Sequence, residues 1–175
     1  MLPLIRPSPC AGCSGHCCRG RVVSLTGFDL CRLVDAFAVP WQELATLGVA
    51  FAGGFKLDPG PTRWGFRLRQ KPDQRCVLAV GEMLRCGAHG IAPAACRVYP
   101  YHVTMRGDGI HVQLGNDAAC PPVEAALWSA VATPEQIRGE LDDFARYQAL
   151  VERWESQLGD KRDVDEFLAF AREAL

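Results

Sequence analysis

Cysteine is the residue with the most chemistry to offer in this chain, and four of its nine cysteines fall within nine positions: Cys10, Cys13, Cys17 and Cys18 in "CAGCSGHCC". Three more, Cys76, Cys86 and Cys96, follow at even spacing, and Cys120 ends "NDAAC". The ninth, Cys31, stands alone inside an amphipathic stretch, where a cysteine reads as a small apolar side chain; it is set aside as a ligand.

Thiolates are metal donors. A Cys-x-x-Cys pair lets two of them reach one ion from a tight turn, but a closed tetrahedral site takes four donors, usually from two such pairs. The second group contains no Cys-x-x-Cys, so two knuckles clasping one zinc ion is not the pattern. Adjacent Cys17 and Cys18 add a constraint, because neighbouring side chains of an extended backbone point to opposite sides. Either the pair bridges two centres, or it belongs to a polynuclear cluster, or one member is not a ligand. Eight thiolates divide naturally into two four-cysteine sites. Softness does not separate zinc from an iron–sulfur cluster. A radical S-adenosylmethionine loop is not expected, because Cys18 directly follows Cys17.

Arg19, Arg75, Arg85 and Arg97 each neighbour one of these cysteines. Guanidinium groups stay charged and can offset the surplus negative charge of several thiolates, although exposed arginines of no special role are equally compatible with the pattern. Of the four histidines, His16 and His89 lie nearest the thiols; a structural or solvated role is the default for them and for His102 and His111.

The compartment decides how the thiols are read. "MLPLIRPSPC" is too short and proline-broken for a signal-peptide core, and no apolar run approaches the roughly 20 residues that span a bilayer. The expected location is the cytoplasm, where clustered cysteines are kept reduced and read as metal ligands rather than disulfides. Nineteen basic against twenty acidic residues give a net charge of -1, no footprint for nucleic acid. Metal ions are therefore the expected partners, with neither nucleic acid nor membrane.

The elements that must position these donors are legible in outline. The chain of 175 residues, 49% hydrophobic, is long enough to bury one core without staples, and one domain is expected over 1–175. Residues 1–20 read as a Pro-, Cys- and Gly-rich loop. "RVVSL" (21–25) reads as a strand, 26–37 as a helix, and "WQELATLG" after Pro40 as a second short helix. A turn-rich connector (52–61) precedes strands at 63–70 and 76–80. Residues 101–114 alternate about a glycine turn, as in a β-hairpin. Thr133-Pro134-Glu135-Gln136 starts a long helix whose Ile137, Leu141, Phe144, Tyr147, Val151, Trp154 and Leu158 form one stripe, ended by Gly159. Asp163 and Glu166 cap a last helix. The predicted fold is α+β: small antiparallel strands and a cysteine-rich metal-binding loop layer over 1–120, with a helical C-terminal third over 124–175.

The segments "CAGCSGHCC", "RCVLAVGEMLRC", "PAACRVYP" and the final Cys120 resemble the cysteine-cluster family described as zinc- or iron-chelating proteins, whose members include the flagellin lysine N-methylases. The resemblance spans about residues 10–120 and implies that Cys10, Cys13, Cys17, Cys18, Cys76, Cys86, Cys96 and Cys120 hold an iron–sulfur cluster or zinc. Ser14, Gly15 and His16 make a gap of three before the cysteine pair, where the family usually has two. The flagellin methylases are considerably longer than this chain. The resemblance thus leaves three readings open: a metal-binding protein, a metal-dependent protein-lysine N-methyltransferase, and a metal-stapled module that binds a protein partner. The enzyme would also use S-adenosylmethionine, with Arg97, Tyr99 and Tyr101 as the place to seek substrate contacts. No Gly-rich strand–turn–helix for such a cofactor is recognisable.

Overall fold

The computed structural model describes residues 18–48, 65–81, 85–99, 101–106, 109–114, 134–158 and 163–175. In chain order they form β1 (Ser24–Leu25), α1 (Gly27–Phe37), α2 (Trp41–Leu44), β2 (Ala45–Gly48), β3 (Gly65–Leu68), β4 (Ala79–Val80), β5 (Arg85–Cys86), a 3₁₀ turn (His89–Ile91), α3 (Ala94–Arg97), β6 (Tyr101–Arg106), β7 (Gly109–Leu114), α4 (Pro134–Leu158) and α5 (Val164–Arg172). The fold is α+β, with small antiparallel sheets at the front and helices at the C-terminal end.

β3 lies between β1 and β2, antiparallel to both. Its register sets Phe66 against Leu25 and Leu47, and Leu68 against Ala45. Alternation then sends Phe66 and Leu68 inward and turns Arg67 and Arg69 away from the core. Helix α1 starts at a capping box. The Thr26 hydroxyl accepts from the Asp29 amide at 2.9 Å, and the Asp29 carboxylate accepts from the Thr26 amide at 3.1 Å. This satisfies two amides that a helix start otherwise leaves unpaired. Leu30, Cys31 and Leu33 of α1 are wholly buried.

The core is sealed by the C-terminal helices. Phe167 of α5 stacks on Phe66 (centroids 6.2 Å apart) and meets Tyr147 and Trp154 of α4 edge-on at 6.4 and 5.4 Å. Such offset and edge contacts add about 0.5–1.5 kcal/mol per pair beyond the area buried. At Gly27, the start of α1, a side chain would meet the edges of Tyr147 and Phe167. The Cys31 thiol donates to the Leu168 carbonyl at 3.4 Å, and burial pushes its pKa up to about 11.

The stripe on α4 packs as expected: Ile137, Tyr147, Val151 and Trp154 are buried, joined by Leu150, with Leu141 and Phe144 half-buried. Leu158's side chain, Thr133 and Gly159 lie outside the described residues. Asp163 caps α5, accepting from the amides of Asp165 and Glu166 at 2.8 and 3.3 Å. The hairpin over 101–114 forms as β6 and β7, in register from Tyr101–Leu114 to Arg106–Gly109.

Several expected elements are shorter or different. The expected strand over 21–25 is regular only at Ser24–Leu25 and that over 76–80 only at Ala79–Val80; of that over 63–70, Gly65–Leu68 form a strand and 63–64 lie outside the described residues. "ATLG" does not continue the helix; it pairs along β3, since that edge offers backbone partners that a second helical turn would forgo. The connector expected over 52–61 falls outside the described residues, as do residues 1–17 of the loop expected over 1–20.

Candidate metal centre

Of the described candidate cysteines, backbone pairing links Cys18, Cys76 and Cys86. Lys71–Gln74 make a tight turn, closed by the Gln74 amide on the Lys71 carbonyl at 2.9 Å, with Gln74 at φ 64°. Asp73 braces it by accepting from the Arg75 amide at 3.1 Å and pairing with the Arg75 guanidinium. The chain returning from this turn has neighbours on both sides. On one, Cys76 bridges to Gln70, with Val77 donating to the Arg69 carbonyl at 2.9 Å. On the other, Arg75 bridges to Arg19, the Gly20 amide donates to the Gln74 carbonyl at 2.9 Å, and the Cys76 amide donates to the Cys18 carbonyl at 2.7 Å. Gly20, at φ 65°, takes the left-handed turn by which the chain leaves this ladder, a conformation that costs glycine little. The last residue of the first cysteine cluster thus lies beside the first cysteine of the second group.

Cys86 is tied to the same place. The Ala79 amide donates to the Cys76 carbonyl at 3.0 Å, and Ala79 faces Cys86 across the β4–β5 pair. Lys71 Nζ reaches the Ala79 carbonyl at 2.7 Å, which sets a cation at the bend between the two cysteines. Cys96 lies in α3, a single turn begun by Pro93. Three contacts hold that turn. Asp29 Oδ1 accepts from the Ala94 amide at 3.1 Å, and Arg21 donates to the Ala95 carbonyl at 3.2 Å while its guanidinium covers the Tyr99 ring at 4.0 Å. Arg97 forms a two-pronged pair with Glu140 of α4, one prong at 2.6 Å, and also donates to the Ala92 carbonyl.

Cys18, Cys76, Cys86 and Cys96 are each half-buried, and the last three pack against the main core, which suits donors that are shielded from bulk water but reachable. Among the described residues, no three His, Cys, Asp or Glu side chains form a group able to hold one ion. Cys10, Cys13, Cys17, Cys120 and His16 lie outside the described residues. His89 is exposed in the 3₁₀ turn, and His102 and His111 belong to β6 and β7, where only backbone register is described. Cys31, sealed beneath α5, is remote in character from a ligand.

The arginines divide. Arg97 faces Glu140 and Arg75 faces Asp73, so both have carboxylate partners. Burial works against the charge on Arg97, but the Glu140 contact together with the nearby Asp29 and Asp143 charges raises its pKa above the ordinary value. Tyr99 lies beneath Arg21, and burial raises the pKa of Tyr101. Two residues with a part in this layout, Asp29 and Glu140, are not singled out by donor spacing. Asp29 had a visible signal, since "TGFD" matches a capping box. Its second bond, to an amide 65 positions away, had none. Burial raises the Asp29 pKa, opposed by the hydrogen bonds from Thr26 and Ala94.

Set against known families, residues 9–121 match the model named CxxCxxCC and described as "Putative zinc- or iron-chelating domain". The chain belongs to the CxxCxxCC family. The matched span takes in all eight candidate cysteines and ends before α4. No curated protein and no solved structure matches the chain. Metal chelation, of zinc or iron, is the property this family membership supports. Among the described residues, no helix is long and apolar enough to cross a membrane.

Proposed function

We propose that this CxxCxxCC-family chain binds zinc or an iron–sulfur cluster through Cys10, Cys13, Cys17, Cys18, Cys76, Cys86, Cys96 and Cys120. The two cysteine groups act together, as two four-thiolate centres or one shared polynuclear cluster, in a reducing cytoplasm. Residues 1–120 and 124–175 work as one domain, the helices supporting the metal-binding part. The observation that carries the reading is the 2.7 Å bond from the Cys76 amide to the Cys18 carbonyl, which supports donors from both groups serving a common site. Thiolate sulfur suits either metal: zinc would staple the loops, and a cluster would add electron transfer.

Anaerobic purification, metal analysis and a visible spectrum test it. Iron with sulfide and visible absorption identifies a cluster, and a colourless protein with one or two zinc ions identifies a zinc site. A gently purified protein without either metal, its cysteines paired as disulfides, overturns the proposal. Methyl transfer to lysine rests on the resemblance to the flagellin methylases alone, and a calorimetric titration of the holo-protein with S-adenosylmethionine decides it.

A further inference from the structure

We infer that Asp29 and Glu140 are positioning residues for Cys96, so that metal affinity at the cysteine site depends on the docking of α1 and α4 although neither helix supplies a donor. The inference rests on Cys96 being a ligand, as proposed above. Helix α3 is one turn long, too short to hold its own geometry, because nucleating a turn fixes several dihedrals for a single hydrogen bond. What fixes it comes from outside. Asp29 is only 3% exposed, and its two oxygens accept from different segments: Oδ2 from Thr26 at the start of α1, and Oδ1 from Ala94 at the start of α3. One carboxylate therefore caps both helices and sets α3 against α1.

Two residues on from Ala95, the other end of α3 is gripped by α4. Arg97 follows Cys96 directly and presents its fork to both oxygens of Glu140, whose side chain is 13% exposed. Val98 is buried against Ile137 and Leu141, the positions that flank Glu140 on α4. Cys96 thus lies between a capped start and a clamped end. Arg97 spends its charge on Glu140 and the Ala92 carbonyl, so its part is to fix the backbone that carries the thiolate. Groups that orient a ligand without touching the metal typically change affinity 10–100-fold when removed.

A comparison within α4 separates positioning from general stability. Asp143, one turn beyond Glu140, also ties α4 to the body of the protein, through Arg32 of α1 at 2.9 Å, and reaches Arg97 of α3 only as a nearby charge that ranks behind Glu140 and Asp29. The test uses the full chain, stripped of metal and refilled anaerobically with Co²⁺, with affinity read by competition against a chelator and geometry read from the thiolate-to-cobalt charge-transfer band. Glu140→Gln and Asp29→Asn each weaken Co²⁺ binding about tenfold and shift the band, whereas Asp143→Asn leaves both unchanged. Arg97→Lys keeps the charge but loses the fork, and gives a smaller loss in the same direction should Asp29→Asn not fold. Wild-type affinity and spectrum in Glu140→Gln, with Cys96→Ser altering both, overturns the inference. So does an equal loss in Asp143→Asn. If Cys96→Ser itself binds Co²⁺ as the wild type does, the ligand assignment fails instead.

Discussion

Replacing Gly27 by alanine probes a close approach in the core. At most helical positions the change is favourable, worth up to about 1 kcal/mol because glycine loses more backbone freedom on folding. At Gly27 the new methyl would come 3.0 Å from Phe167 Cε1, 3.0 Å from Tyr147 Cε2 and 3.4 Å from Phe167 Cζ. Carbon atoms pack best at about 3.5–4.0 Å, so two contacts are short by about half an ångström. Neither ring can yield cheaply: Phe167 is 3% exposed, Tyr147 is 4%, and both are wedged against Phe66, Trp154 and Phe28. Overpacking of this kind costs about 1–3 kcal/mol. Set against the backbone gain, which is smaller at the first helical position, the net loss is about 1–2 kcal/mol. Gly139, on the exposed face of α4 with nothing within 4 Å of its added methyl, supplies the control, and Gly139→Ala gains about 0.8–1.0 kcal/mol. Urea unfolding of both variants at matched slope reads the difference, about 2–3 kcal/mol between them. A Gly27→Ala protein as stable as Gly139→Ala would show that α1 does not pack on these rings as described.

Other expectations follow from the same contacts. After reduction and chelation, a thiol reagent at neutral pH reacts with the candidate ligands in the folded protein, and with Cys31 only on unfolding, since that thiol is 0% exposed. Because the folded Cys31 pKa is about 11 against an ordinary 9.0, the unfolded chain releases this proton first. The stability due to Cys31 is therefore complete below pH 9 and declines as the pH rises towards 11; Cys31→Ala flattens that part of the stability profile, which unfolding at successive pH values measures. Phe167→Ala removes the ring shared by Phe66, Tyr147 and Trp154 and costs about 3–5 kcal/mol in denaturant unfolding. Metal removal from the purified holo-protein lowers its melting temperature and loosens the Cys18–Cys76 ladder, seen as faster exchange of the Gly20 and Cys76 amides, because a ligand bound only by the folded state stabilises it.

Much of this protein is written in short windows of its sequence. The cysteine groups, their order, and the place of Cys31 in an amphipathic stretch needed only residue type and neighbours. The α4 stripe and the β6–β7 hairpin were legible because periods of about 3.6 and 2 persist there over many residues. The two-residue strand β5 and the single turn α3 left no such trace, and β4 showed only as the end of the longer strand expected over 76–80. "ATLG" shows the same limit from the other side: its residues are compatible with a helix, and pairing with β3 makes it a strand.

What only the tertiary structure decided is which distant groups meet. The Cys76 amide bonds to the carbonyl of Cys18, 58 positions earlier, the Asp29 carboxylate closes on Ala94, and Arg97 reaches Glu140 rather than a thiolate. The physical reason is common to all three. Hydrogen-bond donors and charges are satisfied by whatever partner the packed core brings within about 3 Å, and that choice depends on the burial of Phe66, Tyr147 and Phe167 together, which no single stretch of sequence contains.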